Sequence, residues 1–248
     1  RIARKLPPCP GGQENHIIDL STFQINHGNK VIINFGLGNH VNPSLGIMSK
    51  RITPKYLLSV IKIDVLQGFV FGLILIFQHY LQKKIKLDIV HVHGDIMEIF
   101  FSWLVSKRYK TKLIVTIHAG LSNKYWYKKI APLILKLPDS IICVSPEIVN
   151  QIKKIQPKIY NIHYIHSGIF RNRFIPPKDY VYSLPLKVIS VGRLHEMKGF
   201  KYLIKALANK KLKKLVHLTL IGDGPERKSL ENLAKNINLN VEFLGNKS

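Results

Sequence analysis

KVISVGRLHEMKGFKYLIKALANKKLKKLVHLTLIGDGP, residues 187–225, is the stretch that decides the fold. Its first five residues hold three β-branched apolar side chains, Val188, Ile189 and Val191, without strict alternation, as expected of a strand covered on both faces. After Lys198, apolar residues fall at Phe200, Leu203, Ile204 and Leu207, the i, i+3, i+4, i+7 stripe of one helix face. A second buried run, VHLTLI at 216–221, follows. Strand, helix and strand in that order predict a parallel βαβ unit.

The same rhythm extends in both directions. Comparable runs stand at 31–35 (VIINF), 89–93 (IVHVH), 113–118 (LIVTIH), 140–144 (SIICV), 162–166 and 241–244. Leu230, Leu233, Ala234 and Ile237 repeat the helical stripe. The expected fold is therefore an open α/β architecture, without internal repeats or low-complexity tracts. Three prolines in a short polar stretch at 174–186 (FIPPKDYVYSLPL) mark a boundary, giving domains 1–176 and 177–248. The second holds only three strands and two helices, which is thin for a parallel domain. The longest apolar run, 65–77 (VLQGFVFGLILIF), is interrupted by Gln67, Gly68 and Gly72. A membrane span needs about 20 apolar residues, so a core helix is expected here.

Hydrophobic residues at 46% and charged residues at 21% of 248 are a globular composition and exclude disorder. Two cysteines, Cys9 and Cys143, cannot build a disulfide framework, which points to a reducing, cytoplasmic setting. The net charge of +24 selects for polyanions: nucleic acid, an anionic membrane surface or phosphorylated substrates. Lys83-Lys84-Ile85-Lys86, Lys107-Arg108-Tyr109-Lys110 and Lys124-Tyr125-Trp126-Tyr127-Lys128-Lys129 mix cations with aromatic rings. Such patches suit a membrane interface or single-stranded nucleic acid, and they also serve as solvated faces.

Four constellations can carry chemistry. Pro7-Pro8-Cys9-Pro10-Gly11-Gly12-Gln13-Glu14 runs into a helix, where paired glycines let backbone N–H groups approach an anion. Gly192-Arg193 and Lys198 leave a strand end and enter a helix, so both cations would project toward a ligand beyond the sheet. Gly222-Asp223-Gly224-Pro225 occupies the equivalent turn after the next strand. His91 and His93 share a strand face and His118 ends the next strand; three imidazoles could ligate zinc, but no Cys or Glu stands at ligand spacing, and no metal is expected. His118 suits a polar site wall, whereas His91 reads equally as a satisfied core histidine. No nucleophile-elbow, Walker or RNA-binding signature is present.

Taken in order, these motifs resemble the retaining nucleotide-sugar glycosyltransferases of family 4, which have the GT-B fold. Pro8-x-x-Gly11-Gly12-x-Glu14 is similar to the family's glycine loop, Asp88-Ile-Val-His91-Val-His93-Gly94 to its D-hydrophobic-H-x-H strand and Thr116-Ile-His118-Ala-Gly120 to its following turn. Val144-Ser145, Val191-Gly192-Arg193 with Lys198-Gly199, and Gly222-Asp223-Gly224-Pro225 continue the pattern. The family's paired C-terminal glutamates, separated by seven residues, are not found, and Ser167-Gly168-Ile169-Phe170 stands where N-G-V-D is usual. The chain is thus expected to be a fragment lacking that region and the family's first strand.

The resemblance implies two Rossmann-like domains facing a cleft, the first on the acceptor side and the second, truncated here, binding the nucleotide-sugar donor. It implies catalytic roles for His118, Arg193 and Lys198, and donor contacts from Gly11, Gly12, Gly192, Arg193, Lys198, Gly222 and Gly224. Glu14, His93 and Ser145 would form the acceptor or cleft wall. No bound cofactor or metal is implied; the nucleotide diphosphate-sugar is a co-substrate. The expected reaction is hexose transfer with retention to a lipid-linked or envelope polysaccharide acceptor, at the cytoplasmic face of an anionic membrane, with no nucleic acid involved. The alternatives are an inactive surface-binding remnant, a basic nucleic-acid binder, and a sugar-nucleotide epimerase of the same fold.

Overall fold

The computed structural model describes residues 1–7, 11–54, 57–82, 85–170, 183–209 and 211–247. The chain divides into two compact units, Arg1–Phe174 and Ile175–Ser248. The sequence boundary at 176/177 lies outside the described residues.

The first unit is built on a seven-stranded sheet in the order β3-β2-β1-β4-β5-β6-β7, every pair parallel. Its strands are β1 (Ile2–Lys5), β2 (Ile32–Leu37), β3 (Met48–Arg51), β4 (Ile89–His93), β5 (Lys112–Ile117), β6 (Ser140–Cys143) and β7 (Ile162–Tyr164). Helices α1 (Gly12–Asn26), α2 (Leu57–Val60), α3 (Asp64–Leu81), α4 (Ile96–Tyr109), α5 (Tyr125–Ile134) and α6 (Pro146–Ile155) connect them.

Two of these strands are additions to the sequence reading. The family's first strand, expected to be missing, is present as β1 directly before the glycine loop. It escaped notice because only Ile2 and Ala3 of its four residues are apolar. Each serves a different core: Ile2 joins the cluster with Val92, Val115 and Ile99, and Ala3 joins Leu6, Ile17, Ile33 and Phe35. β3 (MSKR) is an exposed edge strand with no apolar run.

The 65–77 run corrects the expectation of a plain core helix. Only Gly68, Phe71, Gly72, Leu75 and His79 of α3 are buried. Gly68 and Gly72, one turn apart, form the groove that seats α4: a Cβ on Gly72 would stand 2.0 Å from the Phe101 ring, and one on Gly68 3.0 Å from Met97 Cβ. His79 fastens the far end of α3, with Nε2 2.9 Å from Asn34 Nδ2 and Nδ1 3.1 Å from the Tyr109 hydroxyl. α3 is long and apolar enough to cross a membrane by length and composition.

The second unit carries a three-stranded parallel sheet, β10-β9-β8, from β8 (Leu186–Val191), β9 (Val216–Ile221) and β10 (Val241–Gly245). Helices α7 (Phe200–Leu207) and α8 (Arg227–Asn236) pack Phe200, Ile204, Leu230 and Ala234 against Leu218 and Leu220.

Gly72→Ala tests the helix seat. Alanine in place of glycine normally favours a helix by about 1 kcal/mol. Against the buried Phe101 ring it is expected to cost about 1–3 kcal/mol in urea unfolding, by overpacking. Adding Phe101→Leu is expected to restore part of that loss, and equal, additive losses would show that the contact is not the cause.

Candidate active site

In an open parallel sheet, ligands bind beyond the carboxyl ends of the strands where the strand order reverses. Here the reversal falls between β1 and β4, since β2 and β3 lie on one side and β5 to β7 on the other. A cavity of about 220 Å³ opens at that place. It is lined by Arg4 and Lys5 from the end of β1, Gln13 and Glu14 from the first turn of α1, and His93, Gly94 and Asp95 from the end of β4. His118 and Gly120 after β5, Glu98 of α4 and Asp64 of α3 complete it.

The carboxylates on its floor are largely committed. Asp95 caps α4 in a capping box, its Oδ1 accepting from the Ile96 amide at 2.8 Å while Glu98 Oε2 accepts from the Asp95 amide at 3.1 Å. The Tyr127 hydroxyl donates to Asp95 Oδ1 at 2.5 Å. Arg4 bridges Glu98 Oε1 (3.0 Å) and Asp64 Oδ1 (2.9 Å). Burial raises the pKa of Glu98, and Arg4 opposes that shift. Glu14 is buried too, and among the described residues its Oε2 has no hydrogen-bond partner.

The histidines form a directed chain. Arg1 Nη1 lies 2.7 Å from His91 Nδ1 and 3.1 Å from His93 Nε2. A guanidinium only donates, so both ring nitrogens accept and each neutral imidazole carries its proton on the other nitrogen. His91 Nε2–H then donates to Thr116 Oγ1 at 2.8 Å, and His93 Nδ1–H to His118 Nε2 at 3.0 Å. His118 is thereby fixed with its proton on Nδ1, which has no partner among the described residues. Burial holds all of these rings neutral. His91 and His93 lie well below the ordinary imidazole value through desolvation, with Arg1 adding to it, and His118 is lowered to about 4 by burial and His16.

His16, which the sequence reading passed over, sits one turn beyond the glycine loop, with its ring centroid 5.0 Å from that of His118. Its spacing after Gly12 was the available signal. Candidate ligand atoms of His16, His93 and His118 lie within 4.8 Å of one another. A metal there would have to break the His93–His118 bond and sit beside the Arg1 guanidinium, where a metal-bound imidazole ordinarily leans on a carboxylate or carbonyl. The residues fit a hydrogen-bonding wall better than a metal centre.

The remaining expected residues divide as follows. Glu14, His93 and His118 share the cavity. Gly11 precedes α1, where a Cβ would collide with Glu14 Oε2 at 2.2 Å, whereas a Cβ on Gly12 would meet nothing within 4 Å among the described residues. Ser145 is outside the cavity lining and caps α6, its Oγ accepting from the Ile148 amide at 3.3 Å. Pro8, Cys9 and Pro10 lie outside the described residues.

In the second unit, Gly192 and Arg193 leave β8, and Lys198 ends the short turn before Gly199 and α7. Both cations are exposed, and neither has an acidic partner among the described residues. Gly222 and Gly224 have a structural reason for being glycine. A Cβ on Gly222 (φ 132°) would stand 2.0 Å from the Gly192 carbonyl oxygen, and one on Gly224 2.3 Å from that of Leu194. The two loops are knit by Gly192 N–H to Ile221 O (2.9 Å) and Leu194 N–H to Asp223 O (3.0 Å).

Paired α/β units with a polar cavity at a switch point define a GT-B-type protein, and the comparisons agree. Residues 10–173 match Glycosyltransferase Family 4 and residues 174–248 match Glycosyl transferases group 1. The chain belongs to glycosyltransferase family 4, and is a nucleotide-sugar-dependent transferase. Among solved structures it is similar to Anabaena HepE in complex with UDP, at TM-score 0.73 and 16% identity, covering 100% of this chain and 69% of that one. It is also similar to the lipopolysaccharide outer core galactosyltransferase WaaB, at TM-score 0.65 and 19% identity, covering 100% and 68%. A putative UDP-N-acetylglucosamine 2-epimerase from Listeria monocytogenes shares the fold at TM-score 0.53 and 14% identity, covering 100% and 69%. Comparison with curated proteins returns no match.

The imidazole chain has a spectroscopic and a thermodynamic signature. Long-range ¹⁵N–¹H spectra at neutral pH are expected to show His93 and His118 protonated on Nδ1 and His91 on Nε2; Nε2 protons on His93 and His118 would refute the chain. His118 and His79 are both lowered to about 4, from an ordinary 6.5. Above pH 6.5 both are neutral, folded or unfolded. Below it the unfolded chain takes up protons that the folded chain refuses, so stability falls as pH drops from 6.5 toward 4, by up to about 1.4 kcal/mol per pH unit per group. Urea titrations across that window check this, and His118→Asn is expected to flatten the slope.

Proposed function

We propose that this enzyme transfers a hexose from a nucleotide diphosphate-sugar, with retention, to a lipid-linked or envelope polysaccharide acceptor at the inner face of a membrane. In this reading the first unit holds the acceptor and the second the donor. The carrying observation is His118, held neutral at the sheet's switch point, its Nδ1–H without a partner among the described residues. Such a group donates a hydrogen bond to a sugar hydroxyl without contributing charge or taking up a proton. Glu14, whose buried Oε2 has no partner among the described residues, would accept from another hydroxyl.

In the reaction the bond from the anomeric carbon to the diphosphate breaks and the acceptor oxygen bonds that carbon on the same face. The hydroxyl proton leaves with the diphosphate. Arg193 and Lys198 would meet the charge gathering on that leaving group, the role a divalent ion plays in other transferases. Gly12, where a Cβ would meet none of the described residues, would admit the donor close to the backbone. UDP and UDP-glucose complexes of HepE and the galactosyltransferase activity in WaaB's name support a hexose donor carried on a nucleotide.

Saturation-transfer NMR of the chain with UDP-, GDP- and ADP-glucose tests this. One nucleotide class is expected to bind, with affinity reduced about tenfold in Arg193→Ala and in Lys198→Ala, the scale of one charge-assisted hydrogen bond. Both positions are exposed, so thermal unfolding should not move. Unchanged affinity in both variants would remove the two cations from the donor site.

A further inference from the structure

The outer face of α3 carries a row of exposed apolar side chains. Leu66, Phe69, Leu73 and Phe77 are 46%, 44%, 49% and 65% exposed and recur at helical spacing along one ridge. Leu57, Val60 and Ile63 extend it toward α2, and Leu81 continues it at the other end. Beside the ridge runs a groove of about 520 Å³ between α3, α4 and α5. Every lining residue is apolar, including Phe69, Phe100, Trp103, Ile130 and Leu133. A soluble protein seldom leaves so continuous an apolar face open without a use for it.

Charge decides what covers it. Residues 65–87 and 99–138, which supply all of α3 except Asp64, all of α5 and most of α4, contain eleven Lys or Arg and no Asp or Glu. Of the acids that flank these helices, Asp95 and Glu98 at the start of α4 are engaged inward, Asp64 at the start of α3 is exposed but paired with Arg4, and Asp139 beyond α5 is paired with Lys112. Several cations are laid on aromatic rings at the rim. Arg108 lies 4.5 Å from the Tyr80 ring centroid, Lys129 4.6 Å from that of Tyr125 and Lys107 5.7 Å from that of Trp103. Arg108 also donates to the His79 and Tyr80 carbonyls at the end of α3. An apolar ridge with a rim of cation-capped rings matches an anionic bilayer surface, with hydrocarbon under the ridge and headgroups at the rim. A second copy of this chain would bring a facing rim of the same sign.

We infer that α3 lies in the plane of an anionic leaflet, its Leu66–Phe69–Leu73–Phe77 ridge inserted below the headgroups and the α3–α4–α5 groove receiving lipid hydrocarbon. The inference rests on the membrane-surface reading above and specifies its mode. It also revises the basic-aromatic patches. Tyr127 is buried and bonded to Asp95, and Tyr109 packs inward against His79, so neither faces a lipid. Lys83 and Lys84 lie outside the described residues.

The test is co-sedimentation of the chain with vesicles of pure phosphatidylcholine or equimolar phosphatidylcholine and phosphatidylglycerol. Wild type is compared with Leu73→Gln/Phe77→Gln and with Lys107→Glu/Lys129→Glu; all four positions are exposed. Wild type is expected to bind the anionic vesicles, and the ridge variant about tenfold more weakly from the lost apolar burial. In a Trp126→Phe background, Trp103 fluorescence should be quenched by bromine on the acyl chains, and less so in the ridge variant. Equal binding by wild type and ridge variant, with loss only in the lysine variant, would overturn the inference while leaving the membrane reading in place. No binding to anionic vesicles would overturn both. A dimer in sedimentation equilibrium that the ridge variant dissociates, without vesicle binding, would make the face a copy-to-copy interface instead. None of these outcomes bears on nucleotide-sugar binding, which is read separately by NMR.

Discussion

The first unit depends on the pairing of Ile2–Lys5 between β2 and β4. That insertion reverses the strand order and so creates the gap in which the cavity sits. The strand is only four residues long, yet each residue has a separate task. Ile2 and Ala3 face opposite cores, which anchors both helical layers to the same backbone. Arg4 reaches the buried Glu98 and Asp64, and Lys5 lines the cavity. A buried carboxylate without its cation costs several kcal/mol, so Arg4 ties the start of α3 and the first turn of α4 to β1. Packing of α4 into the Gly68–Gly72 groove then fixes α3, and the cavity wall follows.

Burial is the second determinant, because it sets the charge of the wall. Side chains at alternate positions of β4 face opposite ways: Val90 and Val92 enter the core, while His91 and His93 turn to the other face. Four imidazoles packed together would repel one another if charged. Desolvation keeps them neutral, and the single Arg1 guanidinium sets their tautomers by donating to two of them. The orientation passes from Arg1 through His93 to His118 without any residue needing to titrate near neutral pH. A wall of this kind presents hydrogen-bond donors and acceptors of fixed direction, suited to polyols rather than to phosphate.

Much of this was legible in the sequence, for identifiable reasons. All eight apolar runs became strands within a few residues, because buried parallel strands leave dense, β-branched signals at 89–93, 113–118 and 216–221; the run at 187–191 forms a strand too, but Ile189 and Val191 are exposed rather than covered on both faces. The strands that escaped, β1 and β3, carry two apolar residues or exposed side chains, so there was no run to detect. The glycines of the 65–77 segment looked like interruptions because the partner that needs them, Phe101, is distant in sequence. Glu14, His93 and His118 do share one cavity, as the motifs suggested, but Ser145 proved to be a helix cap. His16 and Arg1 were invisible as site residues: single-residue spacing does not show that a helix face and a strand start converge on β4.

The placement of cations carries the last step. Of the basic residues on and just before β1, Arg1 is spent on histidines and Arg4 on carboxylates, leaving Lys5 without a counter-ion among the described residues. Arg193 and Lys198 are in the opposite condition, exposed and, among the described residues, without an acidic partner, on a loop against whose backbone Gly222 and Gly224 pack. A cation already paired in the folded chain gains little from meeting a phosphate, since it must first give up its partner, whereas an unpaired one keeps its full interaction for the ligand. The two units thus hold complementary chemistries: neutral, directional groups suited to hydroxyls in one, uncommitted positive charge suited to a diphosphate in the other. Glycosyl transfer needs both, because the sugar must be recognised without charge while the leaving group must be stabilised by it.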